Sequence, residues 1–235
     1  MLYDRRKSKS CSGKEKLVAV ISHEKNFIFI HIPRCAGNSI EKVLEKWSKE
    51  LRSASALQRQ GFRPNFSERH FTLNQYADEV DISKFFSFAI VRHPLTRMRS
   101  IYKWGIEIMP KIIRGESANF KNHHTWKSKS FDEWVQSEEW MRSRQVIYKN
   151  KKGKIIPAFN KTQREWLCIN NKIRIDYYGK FEDLNNSWGY ICNKLNINEP
   201  LPFMHSTSNS NIDCSKKTQA IIENHFKEDY EEFNY

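Results

Sequence analysis

Residues 27–39 read FIFIHIPRCAGNS, and this stretch decides the predicted fold class. The run Phe27–His31 is apolar, aromatic and β-branched, which is typical of a buried strand. Pro33 ends the run, and a short turn that contains one glycine, Gly37, follows it. The stretch therefore predicts a strand and a tight turn, and a helix after them. The helix is indicated by apolar residues at helical spacing, namely Ile40, Val43, Leu44 and Trp47.

The start of this helix is a candidate site for an anion. Asn38 or Ser39 is expected to be the N-cap, and the first turn presents unpaired backbone N–H groups and the positive end of the helix dipole beside Arg34. The spacing is not that of a Walker A loop, because the basic residue precedes the glycine instead of following it. The pattern is compatible with a phosphate or sulfate site and equally with an ordinary strand-to-helix turn relieved by Gly37.

A second buried strand is predicted over Phe85–Val91, where apolar residues on both faces fit a central position in a parallel sheet. Arg92 leaves this strand, and a helix begins near Pro94. Ligands of open α/β sheets bind at the carboxyl ends of strands, so Arg92 is a candidate ligand-binding residue. The alternative is that Arg92, Arg97 and Arg99 only solvate the surface of the helix.

The remaining helices and strands are predicted from the same helical spacing and strand patterns of apolar residues. Leu17–Ile21 is expected to form a hairpin with the first strand, and Thr72 and Gln75 form a capping-box pattern at the start of a short helix. Further elements are a helix around Phe131–Trp140, a strand over Ile173–Phe181, a helix over Leu184–Leu195 and a final helix over Lys216–Glu232. Trp126, Trp134 and Trp140 either line an acceptor cleft or belong to the core.

The length of 235 residues suits one α/β domain over residues 17–235, with an insertion at about 105–160 and a flexible basic tail over residues 1–16. Forty Lys and Arg against 27 Asp and Glu give a formal charge of +13, which favours an anionic partner. The five cysteines include no CxxC pair, and His123 and His124 have no matching ligands, so neither a disulfide framework nor a metal site is indicated. Without a long apolar run or a signal-peptide pattern, we expect a soluble, cytoplasmic or otherwise intracellular protein with no membrane span.

Several motifs together resemble the carbohydrate (Golgi-type, family 2) sulfotransferases. The segment HIPRCAGNS at residues 31–39 is similar to their HIPKTAGTS-type phosphosulfate loop, and residues 88–102 are similar to their FxxVRxPxxRxxSxY segment. Later stretches at 179–184, 201–202 and 229–235 match the blocks GRFENL, LPHxNxS and DxxxFxY. The order and spacing of the motifs agree over about residues 25–235.

This resemblance implies an α/β, P-loop-kinase-like three-layer fold with a central, mainly parallel sheet. It also implies that the protein binds 3′-phosphoadenosine 5′-phosphosulfate (PAPS) and transfers the sulfuryl group to an acceptor hydroxyl, as in a sugar, without a metal. Arg92 and Ser100 would hold the 3′-phosphate, and His70, which precedes the second strand, would be the catalytic base. The phosphosulfate would be held by Pro33, Arg34, Cys35, Ala36, Gly37, Asn38 and Ser39.

Residues 34 and 35 in the first loop depart from the family pattern. Arg34 replaces the usual Lys, and Cys35 replaces a Thr. Arg34 is expected to neutralise developing charge and so to be catalytic, although a guanidinium does not hand over a proton. A protein that binds nucleic acid or another polyanion without turnover is the alternative suggested by the charge, and no RNP, zinc-finger or helix-turn-helix signature supports it. An ATP-dependent kinase of P-loop fold is disfavoured by the missing Walker Lys-Ser/Thr pair.

Overall fold

A four-stranded sheet forms the centre of the computed structural model. Its strands, in spatial order, are β1 (Ile21–Ser22), β2 (Phe27–Ile30), β3 (Phe86–Val91) and β8 (Tyr177–Lys180). The strands β2, β3 and β8 are parallel, and β1 pairs antiparallel with β2 through a short hairpin. The structure describes residues 20–48, 70–108, 128–142, 147–149, 155–157, 160–202 and 212–235. The expected tail at 1–16, together with His123, His124 and Trp126, lies outside these residues.

The central strands confirm the predicted mixed α/β class with a mostly parallel sheet. Every residue of β2 is buried, and β3 is buried from Ser87 to Val91, as expected for strands covered on both faces. Phe29 lies opposite Phe88 in the register, and their rings are 5.3 Å apart. The parallel pairing brings the carboxyl ends of β2 and β3 to one edge of the sheet.

Helices follow the strands at that edge. The first helix, α1, covers Gly37–Leu44, and α2 covers Leu73–Ala77 with the predicted capping box between Thr72 and Gln75. The helix α3 covers Pro94–Lys103 with Pro94 in its first turn and continues into a π-helical turn at Trp104–Ile108. The later helices are α4 (Phe131–Gln136), α5 (Glu139–Arg142), α6 (Gln163–Leu167), α7 (Leu184–Leu195), α8 (Lys216–His225) and α9 (Lys227–Phe233).

Three predicted elements are interrupted in the structure. The helix predicted over residues 131–140 divides into α4 and α5 at Glu138, whose φ is 56°. The final helix divides into α8 and α9 at Phe226, whose ring is fully buried and whose backbone, at φ −104° and ψ 25°, is not helical. The third strand starts only at Tyr177, since the preceding residues form a small hairpin of β6 (Cys168–Ile169) and β7 (Lys172–Ile173).

The N-cap predicted for α1 is wrong. The helix begins at Gly37 after Ala36, which has φ 60° and makes no side-chain cap, so Asn38 and Ser39 lie inside the helix. A further hairpin, which the sequence did not indicate, pairs β4 (Ile147–Lys149) with β5 (Ile155–Pro157). Trp134 and Trp140 are fully buried and belong to the core, so they do not line a cleft.

Candidate anion-binding site

The loop between β2 and α1 has an unusual backbone. Arg34 and Ala36 are both in the left-handed region, at φ 70° and 60°, which costs about 1–3 kcal/mol for each residue without glycine's freedom. Two arginines hold this conformation by hydrogen bonds to carbonyls of the loop, and they are Arg92, which follows β3, and Arg97 in α3. Arg97 donates from Nε to the Pro33 oxygen at 3.2 Å, and Arg92 donates from Nη1 to the Arg34 oxygen at 3.2 Å. The two segments that the motifs mark are therefore joined directly.

Gly37 is required by a close approach and not by the turn. A Cβ built on it would lie 2.0 Å from two atoms of the His31 ring. That ring is fixed, because its Nδ1 is 2.6 Å from Oε1 of Glu41 and both side chains are buried. The glycine of the first motif thus lets the start of α1 pack on a histidine that leaves β2.

The side chains of Arg34, Arg92 and Ser100 meet at the carboxyl ends of β2 and β3. Arg34 donates from Nε to the Ser100 hydroxyl at 3.1 Å, and Arg92 donates from Nε to the Thr96 hydroxyl at 3.1 Å. The sequence suggested two separate anion pockets, one for each strand end. The structure instead brings residues of both motifs into one cluster, and we call Arg34, Arg92 and Ser100 the arginine cluster.

The arginine cluster is electrostatically unfavourable without an anion. Burial, and secondarily the charge of Arg92, lowers the pKa of Arg34 to about 10. Burial also lowers the pKa of Arg92. Within the part of the chain that the structure describes, neither guanidinium forms a salt bridge with a carboxylate. Since charges that are even partly buried are normally paired, a multiply charged anion is the group that this cluster fits best.

His70 lies next to the beginning of the loop and is buried. Its Nδ1 is 2.8 Å from the backbone oxygen of His31, and its ring meets the rings of His31 and Trp166 edge-on. A carbonyl oxygen only accepts hydrogen bonds, so Nδ1 of His70 carries the proton and Nε2 holds a lone pair in the neutral ring. This is the protonation pattern that a general base needs.

The other residues predicted for the phosphosulfate loop lie around the same turn with different orientations. Cys35 is buried and contacts the Gln163 Oε1 at 3.4 Å, and burial raises the pKa of its thiol to about 11. The Ser39 and Ile40 N–H groups donate to the Ala36 oxygen, at 3.0 and 3.2 Å. Cys35 is therefore a neutral, inward-facing thiol. The N–H groups of Ser39 and Ile40 in the first turn of α1 already have an acceptor within the protein.

Two residues at the site were missed by the sequence reasoning. Arg97, which was placed on the helix surface, is 1% exposed, and its guanidinium carbon lies 5.8 Å from the Phe226 ring centre. Arg97 is the second arginine of the VRxPxxR motif, and this position could have indicated that it belongs to the site. Gln163 is fully buried against Arg92, and no periodicity or motif that we used indicated it.

The fold and the site define an α/β protein with a partly buried cationic cluster at the carboxyl ends of two neighbouring parallel strands. Residues 18–235 match the model of the sulfotransferase family. The chain therefore belongs to the sulfotransferase family. No curated protein and no solved structure gives a significant match.

Among the residues that the structure describes, no helix has the length and apolar character to cross a membrane. The same residues contain no group of three or more His, Cys, Asp or Glu side chains that could hold a metal ion.

Proposed function

We propose that this protein transfers a sulfuryl group from PAPS to a hydroxyl group of a carbohydrate acceptor. The observation that carries the proposal is the arginine cluster, in which two partly buried guanidiniums and a hydroxyl converge and, among the described residues, no carboxylate forms a salt bridge with either guanidinium. PAPS is a nucleotide with anionic groups at both its 3′ and 5′ positions, so it supplies the charge that the cluster lacks. A P-loop-kinase-like, three-layer arrangement of residues 17–235 is part of the proposal.

The proposed roles of the residues are those that the resemblance implies. The loop 33–39 and Arg34 would hold the phosphosulfate, while Arg92 and Ser100 would hold the 3′-phosphate. The acceptor oxygen attacks sulfur in line, and Nε2 of His70 takes the hydroxyl proton. As the new S–O bond forms, the bond from sulfur to the 5′-phosphate oxygen breaks, and adenosine 3′,5′-bisphosphate leaves. Arg34 would stabilise the charge that develops on the leaving oxygen.

Arg34 is expected to do the work of the usual Lys in this step. A guanidinium donates two parallel hydrogen bonds to phosphate or sulfate oxygens, and the lowered pKa of about 10 still leaves it charged at neutral pH. No proton from residue 34 is needed, because the leaving bisphosphate is stable as an anion. We therefore expect an active enzyme and not only a donor-binding protein.

The first test is calorimetric titration with adenosine 3′,5′-bisphosphate, the stable product, with ATP as a comparison ligand. We expect micromolar binding that prefers the bisphosphate and is lost in Arg92→Ala. Arg174→Ala is the matched control, because Arg174 is an exposed arginine before β8, at the opposite end of the parallel strands. Absence of binding by the folded protein would contradict the donor proposal and favour binding of nucleic acid or another polyanion.

A further inference from the structure

A single buried amide side chain contacts both segments of the donor site. Gln163, the first residue of α6, accepts at Oε1 from the Arg92 N–H at 2.8 Å and donates from Nε2 to the Arg92 oxygen at 2.7 Å. The amide thus pairs with both polar backbone groups of one residue, as a neighbouring strand would. This pairing fixes the backbone from which the Arg92 guanidinium extends.

The same oxygen of Gln163 also faces the first loop. The Cys35 thiol lies 3.4 Å from Oε1, and Cys35 is between the two left-handed residues of that loop. A thiol is a weak donor, so this contact is weaker than the two hydrogen bonds to Arg92. Gln163 therefore acts mainly on Arg92 and secondarily on the loop.

Asp229 of α9 fixes the orientation of this amide. Its Oδ2 accepts from the backbone N–H of Gln163 at 2.8 Å and from Nε2 at 3.2 Å, and its Oδ1 accepts from the Arg164 N–H at 2.9 Å. The carboxylate satisfies N–H groups in the first turn of α6, which have no partner within the helix. Since Nε2 must face the carboxylate, Oε1 is turned toward Arg92 and Cys35.

We propose that Gln163 is a positioning residue of the donor site that sets the direction of the Arg92 guanidinium. It does not touch the donor, and the proposal rests on the proposed function, in which Arg92 holds the 3′-phosphate. Loss of the amide should then reduce selectivity for a nucleotide with a 3′-phosphate. A residue that only supports the fold would weaken all nucleotides equally or change only stability.

The test compares Gln163→Met with the wild type in titrations with adenosine 3′,5′-bisphosphate and adenosine 5′-monophosphate. Methionine keeps the approximate volume but leaves the polar backbone groups of Arg92 without partners, so we expect the preference for the bisphosphate to fall about tenfold. Gln136→Met is the matched control. Gln136 donates to Thr218 at 3.1 Å between α4 and α8, away from Arg92, and its loss should leave the preference unchanged.

Two further variants complete the test. If Gln163→Met does not fold, Gln163→Glu keeps an acceptor for the Arg92 N–H but loses the donor to its oxygen, and we expect the same selective loss. In the Arg92→Ala background, either Gln163 variant should leave the affinity for adenosine 5′-monophosphate unchanged, because the residue acts through Arg92. A wild type that does not distinguish the two nucleotides would overturn the proposed function itself. A selective wild type with an equally selective Gln163 variant would overturn the positioning role alone.

Discussion

Arg34 donates a hydrogen bond from Nε to the hydroxyl of Ser100 at 3.1 Å, although 66 positions separate the two residues in the sequence. The bond joins the first loop to the middle of α3. Each residue was assigned to a different end of the donor by its motif. Under the proposed roles, the groups that would bind the 5′ and 3′ ends of the donor also bind each other.

Ser100→Ala removes one hydroxyl from the arginine cluster. Because this hydroxyl would bond the 3′-phosphate, we expect affinity for adenosine 3′,5′-bisphosphate to fall about tenfold by calorimetry. Ser137→Ala, which removes a hydroxyl that donates to the Trp134 oxygen in another part of the fold, is the control. Unchanged binding by Ser100→Ala would limit the hydroxyl to holding Arg34.

His70→Ala tests the proposed base. Turnover should fall by roughly 10²–10⁴, while affinity for the bisphosphate stays nearly unchanged, because only the proton transfer is lost. His23→Ala removes an exposed histidine of the β1–β2 hairpin and should retain full turnover. A wild-type rate for His70→Ala in a sulfuryl-transfer assay would remove His70 from the mechanism.

Gly37→Ala tests the packing of α1 on His31. The new Cβ would lie 2.0 Å from the ring, so the ring or the helix must move, and we expect a loss of about 1–3 kcal/mol in urea unfolding. Gly189→Ala is the matched control within α7, where a Cβ meets no atom within 4 Å. That substitution should gain up to about 1 kcal/mol, because alanine has the higher helix propensity. Equal effects at the two glycines would contradict the close approach.

The buried thiol of Cys35 should make the free energy of unfolding decrease at alkaline pH. Its pKa is raised by burial to about 11 in the folded chain, while an exposed thiol in the unfolded chain titrates near 9.0. The unfolded state therefore loses its proton first as the pH rises, and the stabilisation that is complete below pH 9.0 declines up to pH 11.

The measurement compares urea unfolding of the wild type and Cys35→Thr at about pH 8 and about pH 10.5. The wild type should lose about 2 kcal/mol more than the variant between these conditions. Cys192→Ser is the control, because it removes a different thiol, which lies near the Glu199 oxygen. Comparison of the two variants shows how much of the pH-dependent loss of unfolding free energy comes from Cys35. Parallel pH curves for the wild type and Cys35→Thr would mean that the buried thiol has an ordinary pKa.

The sequence predicts those helices and strands whose formation depends on the residue pattern within the segment itself. The strand Phe86–Val91 and the helix Leu184–Leu195 follow from periodicity within each segment, and both agree with the prediction to within a residue at each end. The N-cap of α1 was not predictable in this way. Ala36 takes a left-handed conformation in a loop whose carbonyls bind Arg92 and Arg97, and these contacts are distant in sequence.

The candidate site shows the same division. Arg34 and Arg92 could be selected because each follows a buried strand and stands in a recognised motif. Gln163 lies in a polar stretch, NKTQREW, and its burial depends on Asp229, 66 positions later. A polar residue whose environment is made by distant segments gives no periodic signal, so only the three-dimensional arrangement identifies it.

The position of Asp229 in the sequence also determines when the donor site can form during synthesis of the chain. The loop at residues 33–36 is synthesised early, but the amide that joins it to Arg92 is held by Asp229, which is synthesised 193 residues after Ala36. At about 5–20 residues per second, the interval is on the order of ten to forty seconds. A nucleotide in the cell can stabilise only a chain that already has its binding site. We therefore expect donor binding to protect the finished protein and to give no help to the nascent one.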